Sequence, residues 1–313
     1  MIENFIFFAL AVFFLIISGT ALVKSLEKIA KFLHVSEYIA AFLIMAIATS
    51  VPELFVGISS AIQGNPELSL GNILGANVIN ITLLIGVFVI FARGIKTPKD
   101  ELEPGNYFML FSIVALIILY VIGNSLSRID GIILLSLYAT NLFLIIRNSR
   151  KNSPKFNGTK HSIKQKIHYS LLFLFSLLLL FFSSKFVVKY SQLIAIDLNI
   201  SLVVIGLFLI SFATTLPELI FGVSAILMKH KDMSIGDQVG IVIFNITFIL
   251  GMVSVIAPIT VPMMSFLPSA IFLLFSVIMF ILLAKTKEKL SVVEGIFFLL
   301  IYVLFVLIQF FVK

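Results

Sequence analysis

Long apolar stretches separated by short polar segments run through the whole chain. A stretch of about twenty apolar residues is long enough for an α-helix to cross a hydrocarbon core of roughly 30 Å. The pattern predicts ten such spans, near residues 4–22, 37–62, 70–92, 105–124, 129–147, 167–187, 201–228, 235–257, 263–284 and 291–312. We therefore expect an all-α polytopic membrane protein.

The composition supports the same class of protein. Hydrophobic residues make up 60% of the 313 residues and charged residues only 12%, and the mean hydropathy is +1.18. These values lie well outside the range of soluble domains. The first apolar stretch follows Glu3 rather than a basic segment, which predicts a retained span and not a cleaved signal peptide. The absence of cysteine excludes disulfides and thiolate metal sites.

The basic residues are distributed unevenly across the predicted membrane. Of the 22 Lys and Arg residues, all but Arg128, Lys185, Lys189 and Lys313 fall on one side of it. The positive-inside rule makes that side cytoplasmic, so we expect a plasma-membrane protein with both termini outside the cytoplasm. This topology explains the net charge of +7 without a nucleic-acid partner.

The chain contains an internal repeat with an offset of 165 residues. Residues 48–60 read ATSVPELFVGISS, and residues 213–225 read ATTLPELIFGVSA. A second matched block, 71–82 against 236–247, keeps the same offset. Each half holds five predicted spans, and because this number is odd the second half enters the membrane in the opposite sense. We expect two inverted five-helix repeats, 1–147 and 167–313, joined by a polar cytoplasmic linker at 148–166.

Each half places one glutamate in the middle of an apolar span, at Glu53 and at Glu218. An ionised carboxylate at that depth costs at least ~2.5 kcal/mol. A single buried glutamate does not require a bound ion, because it can be protonated and hydrogen-bonded to a neighbouring helix. Two at matched positions are explained more simply by a cation bound between them.

A proline precedes each glutamate, and hydroxyl residues precede each proline. Pro52 and Pro217 predict breaks in their helices, because proline frees a carbonyl one turn earlier. The alternative is a proline kink that has no role in ion binding. In the functional interpretation the broken helices turn carbonyls and hydroxyls toward an ion at the midplane. The hydroxyl candidates are Thr49, Ser50, Thr214 and Thr215.

Matched amides lie on the spans that follow the two glutamate segments, 70–92 and 235–257, which we call the companion helices. Asn80 and Asn245 fall near mid-span, where an amide offers a neutral oxygen to a cation. Asp237 occupies the position matched by Asn72 and stands eight residues before Asn245, roughly 12 Å along a helix. We assign Asn72 and Asp237 to the ion pathway, with Asp237 at its mouth or at a helix start.

These paired Thr-Ser-Val-Pro-Glu and Thr-Thr-Leu-Pro-Glu segments resemble the two alpha-repeats of the calcium/cation antiporter superfamily, and most of all the prokaryotic sodium/calcium exchangers. The resemblance covers the whole chain. It implies that Glu53 and Glu218 are the principal calcium ligands, assisted by Thr49 and Thr214. It also implies that hydroxyls and carbonyls near Ser50 and Thr215 complete sodium sites, and that spans 1 and 6 slide across the core to alternate access.

The resemblance implies export of Ca²⁺ in exchange for Na⁺. The chain departs from the family pattern at Ala76 and Ile241, where serines are usual, and at Asn245, where many members carry aspartate. These departures predict fewer or weaker sodium sites, so a Ca²⁺/H⁺ antiporter is the alternative, with a cation channel further behind. No nucleophile–base pair points to an enzyme, and we expect no cofactor and no obligatory protein partner.

Overall fold

The computed structural model describes residues 2–32, 47, 49–97, 99–149, 162–227, 231–287 and 289–311, and these are almost entirely helical. In the first half the elements are α1 (Ile2–Phe32), α2 (Val51–Ile62), α3 (Pro66–Ile79), π1 (Asn80–Leu84), α4 (Ile85–Phe91), β1 (Ile95–Lys96), α5 (Lys99–Gly123) and α6 (Arg128–Ser149). In the second half they are α7 (Ile163–Leu198), α8 (Leu202–Ile205), π2 (Gly206–Ile210), α9 (Ser211–Thr214), α10 (Leu216–Leu227), α11 (Lys231–Ile243), π3 (Phe244–Ile249), α12 (Leu250–Ile256), α13 (Met263–Lys287), β2 (Lys289–Leu290) and α14 (Val292–Phe311).

Within the described residues, nine helical stretches are long and apolar enough to cross a membrane, and α2 is a shorter apolar helix. α2 forms the end of the predicted span 37–62, whose residues 37–46 lie outside the described part of the chain. The all-α prediction is confirmed, and the number of helices is consistent with ten spans. Most of the predicted linker, residues 150–161, also lies outside the described ranges.

Several helices extend beyond the predicted ends of their spans, and α1 and α7 do so by the most residues. α1 continues to Phe32, and α7 runs from Ile163 to Leu198. α7 begins with a capping box, in which Ser162 and Gln165 each accept a backbone N–H from the other, and it ends at Asn199 in the left-handed conformation. These local signals, rather than the length of the apolar stretch, set where α7 begins and ends.

The companion helices of the two glutamate segments form the centre of the molecule. In the most apolar stretch of Pro66–Phe91, 83% of the residues are buried, and in that of Ser234–Ile256 the share is 72%. For Arg128–Ile145 it is only 11%, so α6 lies on the outside. The outer helices expose large apolar side chains such as Phe182 and Leu300, as helices that face lipid must.

Backbone contacts tie the two halves together. β1 pairs with β2 antiparallel, with Ile95 opposite Leu290. Leu126 and Ile259 exchange backbone hydrogen bonds of 2.9 and 3.0 Å. Tyr120 donates its hydroxyl to the carbonyl of Val261 at 2.8 Å. These ties fix the segment that follows α4 and the end of α5 against the last helices of the chain.

α3 crosses the second half at very short range. A Cβ on Gly71 would collide with the carbonyl of Val203, and one on Gly75 would collide with the carbonyl of Leu207. Gly206, at the start of π2, is in the same situation against the carbonyl of Leu68. The glycines thus allow two helices to touch backbone to backbone, as small residues do between membrane helices.

Candidate cation-binding site

A helix interruption precedes each of the two glutamates. Ser50 (φ −85°, ψ 8°) stands before α2, and Thr215 (φ −81°, ψ −1°) separates α9 from α10. Pro52 and Pro217 are each the second residue of the new helix, where a missing N–H leaves no hydrogen bond unmade. Glu53 and Glu218 follow in the first turn. The helix N-terminus places positive partial charge beside each carboxylate.

Both glutamate side chains are completely buried, with 0% exposure. None of their four carboxylate oxygens has a hydrogen-bond partner among the described residues. The two carboxyl groups are close enough to interact electrostatically, and the Thr214 hydroxyl also faces Glu53. Two carboxyl groups side by side in a membrane interior are neutralised either by a bound cation or by protons, because an uncompensated buried charge is expensive.

The four predicted hydroxyl residues are all buried around the interruptions. Thr214 donates to the side-chain oxygen of Asn72 at 3.1 Å, and Thr215 donates to the carbonyl of Ser211 at 2.9 Å. The Ser50 hydroxyl has no hydrogen-bond partner among the described residues. Thr49, one residue before it, is 1% exposed. These hydroxyls are thus buried at the helix interruptions, three or four residues before a glutamate in the chain.

Asn80 and Asn245 lie where the companion helices widen into π-helical turns, π1 and π3. π-helical turns inside α-helices are frequent at functional sites. Asn245 donates its amide N–H to the side-chain oxygen of Asn77 at 3.0 Å, and its own oxygen has no hydrogen-bond partner in the part of the chain that the structure describes. The same holds for both polar atoms of Asn80, which are buried. Within the described ranges, each of the two helices therefore has one buried amide oxygen available to a ligand.

Asn77 is the residue that the sequence interpretation missed. Its amide accepts from Asn245 across the boundary between the halves. The position matched by Asn77 in the repeat is Val242, so the repeat itself gave no reason to select it. The available signal was its spacing, since Asn77 stands one turn before Asn80 on the same helix.

Asp237 is 6% exposed, and neither of its carboxylate oxygens has a partner among the described residues. It is the seventh residue of α11, which begins at Lys231, so it does not lie at a helix start as one interpretation predicted. Its carboxyl group interacts electrostatically with Glu218. Asn72, at the matched position, is 0% exposed and accepts from Thr214.

The buried polar side chains described above all carry oxygen atoms. Carboxylate, amide and hydroxyl oxygens are the donor set that hard cations such as Ca²⁺ and Na⁺ prefer. Among the described residues no three His, Cys, Asp or Glu side chains are grouped closely enough to hold a metal ion by themselves. A bound cation would therefore draw on the two glutamates together with neutral oxygens.

The chain matches one protein family over nearly its whole length. The sequence profile described as "Sodium/calcium exchanger protein" matches residues 3–147 and 168–311. The sodium/calcium exchanger MaX1 of Methanosarcina acetivorans is 28% identical, over 99% of this chain and 99% of that protein. The sodium/potassium/calcium exchanger 3 of Rattus norvegicus is 31% identical over 46% of this chain, but only 23% of its own length is covered.

Solved structures show the same fold. The sodium-calcium exchanger NCX_Mj, soaked with 2.5 mM Na⁺ and 1 mM Sr²⁺, superposes with a TM-score of 0.68 at 26% identity and 97% coverage of both chains. The H⁺/Ca²⁺ exchanger CAX shares the fold alone, with a TM-score of 0.77 at 15% identity. The prediction of two inverted five-helix repeats is confirmed by these matches. With most of both halves matched by one profile, the chain belongs to the sodium/calcium exchanger protein family.

Proposed function

We propose that the protein is a secondary antiporter that exports Ca²⁺ in exchange for Na⁺ by alternating access. The cation binds between Glu53 and Glu218. The observation that carries this proposal is the pair of neighbouring, fully buried carboxylates, which have no hydrogen-bond partner among the described residues. Ca²⁺ balances two negative charges in one step, and the surrounding oxygens supply the further ligands that it needs.

Neutral oxygens complete the coordination in this proposal. In this proposal Thr49 and Thr214 assist the glutamates, as does the pair at the helix interruptions, Ser50 and Thr215. Asn80 and Asn245 add amide oxygens from the companion helices. These residues are the sodium and calcium ligands of the proposal. Membership of the exchanger family supports the reaction class, and the named exchangers among its relatives support the choice of ions.

Calcium uptake into vesicles tests the proposal. Purified protein is reconstituted into vesicles loaded with Na⁺, with K⁺ or with acid, and ⁴⁵Ca uptake is measured against empty vesicles. The proposal predicts rapid uptake only when Na⁺ is inside. Uptake driven by internal acid instead would favour a Ca²⁺/H⁺ antiporter, and uptake without any counter-ion would favour a channel. Either result would overturn sodium exchange.

The Ca²⁺/H⁺ alternative has a specific basis in the sequence. Ala76 and Ile241 replace hydroxyl residues with apolar ones, and both are completely buried. Neither side chain can contribute an oxygen to a sodium ion, and a weakly held Na⁺ competes poorly with H⁺ for the same carboxylates. The comparison of Na⁺-loaded with acid-loaded vesicles decides between the two counter-ions.

A further inference from the structure

Two lysines lie on an outward face of α7, a helix long and apolar enough to cross the membrane. Lys185 and Lys189 are one helical turn apart, so they share a face, and both side chains are exposed. Phe182 and Phe186 stand on the same face and are 55% and 48% exposed. On a membrane helix, a face of exposed phenylalanines is directed toward lipid. Charged residues are rare at such positions, and each one requires a partner that neutralises it.

The packing of α7 on α1 sets the level of these lysines. Asn4, near the start of α1, donates its amide to Asp197, near the end of α7, at 2.8 Å. Three residues further along α1, the ring of Phe7 stacks on that of Tyr190, with centroids 5.1 Å apart. The two helices are therefore antiparallel. Lys185, twelve residues before Asp197, lies about 18 Å along α7 from the Asn4–Asp197 bond.

The stretches of α1 and α7 without Asp, Glu, Lys or Arg do not coincide. That of α1 is 4–23, about 30 Å long, and that of α7 is 167–184, about 27 Å long, so each alone matches a hydrocarbon core. In the register of the two helices, however, the α1 stretch reaches the level of Asp197, whereas the α7 stretch ends before Lys185. The displacement is about 18 Å, so one flat membrane surface cannot suit both helices. With α1 in the hydrocarbon, Lys185 and Lys189 lie below the level of the headgroups.

The acidic residues of the neighbouring helices do not reach this level. The nearest on α1 and α7 are Glu3 and Asp197, at least eight residues beyond Lys189, or about 12 Å. Asp197 already accepts a hydrogen bond from Asn4. α2, which also packs on α7, has Glu53 as its single acidic residue, and that side chain is completely buried. The two lysines therefore need a negative charge from outside these helices.

The ammonium groups rest on aromatic rings rather than on carboxylates. That of Lys185 lies 4.5 Å from the centroid of the Phe181 ring, and that of Lys189 lies 5.5 Å from the centroid of the Tyr190 ring. A ring face attracts a cation, but the N–H donors of an ammonium group are better satisfied by oxygen. A phosphate group supplies both the negative charge and the oxygen acceptors.

We propose that Lys185 and Lys189 bind the phosphate of an anionic phospholipid, which is drawn along α7 toward the middle of the membrane. Its acyl chains lie on the exposed rings of Phe182 and Phe186. The lipid belongs to the leaflet at the start of α1, which the distribution of basic residues predicts to be the outer one. Two positive charges favour an anionic headgroup over a zwitterionic one, since the latter carries its own cation. The membrane is thus thinner beside α7 than beside α1, which accommodates the displacement of the two apolar stretches.

A single tryptophan beside the lysines tests this proposal, because the chain has none of its own. Phe182→Trp places an indole about one turn before Lys185 on the exposed side of α7. The purified full chain is reconstituted into mixtures of phosphatidylglycerol and phosphatidylcholine, one of them brominated on its acyl chains, and the quenching of tryptophan fluorescence is measured. We expect phosphatidylglycerol to bind beside this tryptophan at least about threefold more strongly than phosphatidylcholine. Leu300→Trp, at a position of α14 that is 61% exposed, is the matched control and should show no preference.

Substitution of the lysines shows whether they cause the preference. In the Phe182→Trp protein, Lys185→Gln with Lys189→Gln should abolish it, whereas Lys185→Arg with Lys189→Arg should keep it. Lys24→Gln with Lys28→Gln removes the same charge from α1, beyond the other end of its uncharged stretch, and should leave the preference at Phe182→Trp unchanged.

Equal quenching by the two lipids at Phe182→Trp would refute the lipid site, whether or not the lysine variants fold. A preference that survives the glutamine pair, or that the arginine pair also loses, would refute the role of the two positive charges. A preference that the glutamine pair abolishes and the arginine pair keeps would support the proposal. No ion gradient is used, so the result does not depend on which ions the protein exchanges.

Discussion

The two halves of the molecule share a scaffold but not the polar groups that it presents. Each half has an interrupted helix with a proline and a buried glutamate, and each has a companion helix with a π-helical turn at its asparagine. The companion helix of the first half offers three amides, Asn72, Asn77 and Asn80. At the equivalent positions of the second half stand an acid, an apolar residue and one amide.

The hydrogen bonds between the halves follow this difference. Thr214 and Asn245 of the second half both donate to amide oxygens of the first half, those of Asn72 and Asn77. The repeat matches Asn77 with Val242 and Asn80 with Asn245. The side chain of Val242 cannot accept a hydrogen bond from Asn80, so the Asn245–Asn77 bond has no equivalent in the repeat. A pseudo-symmetric fold therefore builds an asymmetric site, in which the acceptors of these two hydrogen bonds belong to the first half and the additional carboxyl group belongs to the second.

The largest expected effect tests what the halves have in common. Glu53→Gln and Glu218→Gln should each abolish ⁴⁵Ca transport, because one remaining carboxylate cannot balance a doubly charged ion. Glutamine is nearly isosteric, so the packing should survive. Glu67→Gln, a change of the same type in the first turn of α3, is the matched control and should transport normally. Robust transport by either glutamine variant of the site would remove that glutamate from the mechanism.

A topology experiment tests whether the two halves are inverted in the membrane. Tags at residues 1 and 313 should both be labelled by impermeant reagents from outside the cell. A tag near Asn157 should be labelled only after the membrane is opened. The reason is the concentration of Lys and Arg on one side of the spans. Termini on opposite faces of the membrane would contradict two inverted five-span halves.

The close approach of the halves predicts the next largest effect, on stability. Gly75→Ala should lower the melting temperature of the detergent-solubilised protein strongly, because the added methyl group collides with the Leu207 carbonyl. Overpacking of this kind costs about 1–3 kcal/mol or more. Gly123→Ala is the control, since its methyl group would meet only the Ser125 hydroxyl at 3.7 Å. Equal melting temperatures for the two variants would argue against the backbone contact.

Exchanging an amide for an acid sharpens the comparison at the site. Asn245→Asp replaces the donor to Asn77 with a carboxylate. Rotation of the Asn77 amide can present its N–H₂ group to that carboxylate, since the group has no hydrogen-bond partner among the described residues. We expect the sodium or pH dependence of exchange to change more than the calcium requirement. Calcium flux is measured over a series of internal Na⁺ concentrations at two pH values. Steep sodium activation in wild type, with superimposable curves for the variant, would show that the missing acid is irrelevant.

The smallest effect concerns the packing of α2 on the long helix α7. The hydroxyls of Ser59 and Ser184 are 2.7 Å apart in a buried contact. A hydrogen bond of this type contributes about 0.5–1.5 kcal/mol, so Ser184→Ala should lower stability by an amount in that range. A double-mutant cycle with Ser59→Ala, measured by denaturation, should recover a coupling of about 1 kcal/mol. Additive effects of the two changes would mean that the contact contributes nothing.

The sequence predicted the features that recur or that composition dictates. The ten apolar stretches predict the helices. The repeated Pro-Glu segments lie in the middle of such stretches, which predicts that Glu53 and Glu218 are buried away from bulk water. The interruptions at Ser50 and Thr215 were expected from the following prolines. The predicted repeat boundaries at 147 and 167 remain a prediction.

Other features depend on contacts that no periodicity records. The π-helical turns at Asn80 and Asn245 give no local signal, since a single extra residue in a turn does not change the apolar pattern. The pairing of Asn245 with Asn77 joins positions that the repeat does not match. The apolar stretch begins close to Asp237 and so predicts a helix start there, whereas the helix already includes Lys231.

The backbone contact of α3 with the second half also limits how the molecule can move. Gly71 lies against the carbonyl of Val203, and a shift of one residue along α3 would bring Leu70 or Asn72, each with a Cβ, to the same place. No rotamer change can relieve such a clash, because the obstructing atoms belong to the main chain. The crossing therefore acts as a rigid joint between the halves, and a displacement that opens the site to either side must take place at other helix contacts.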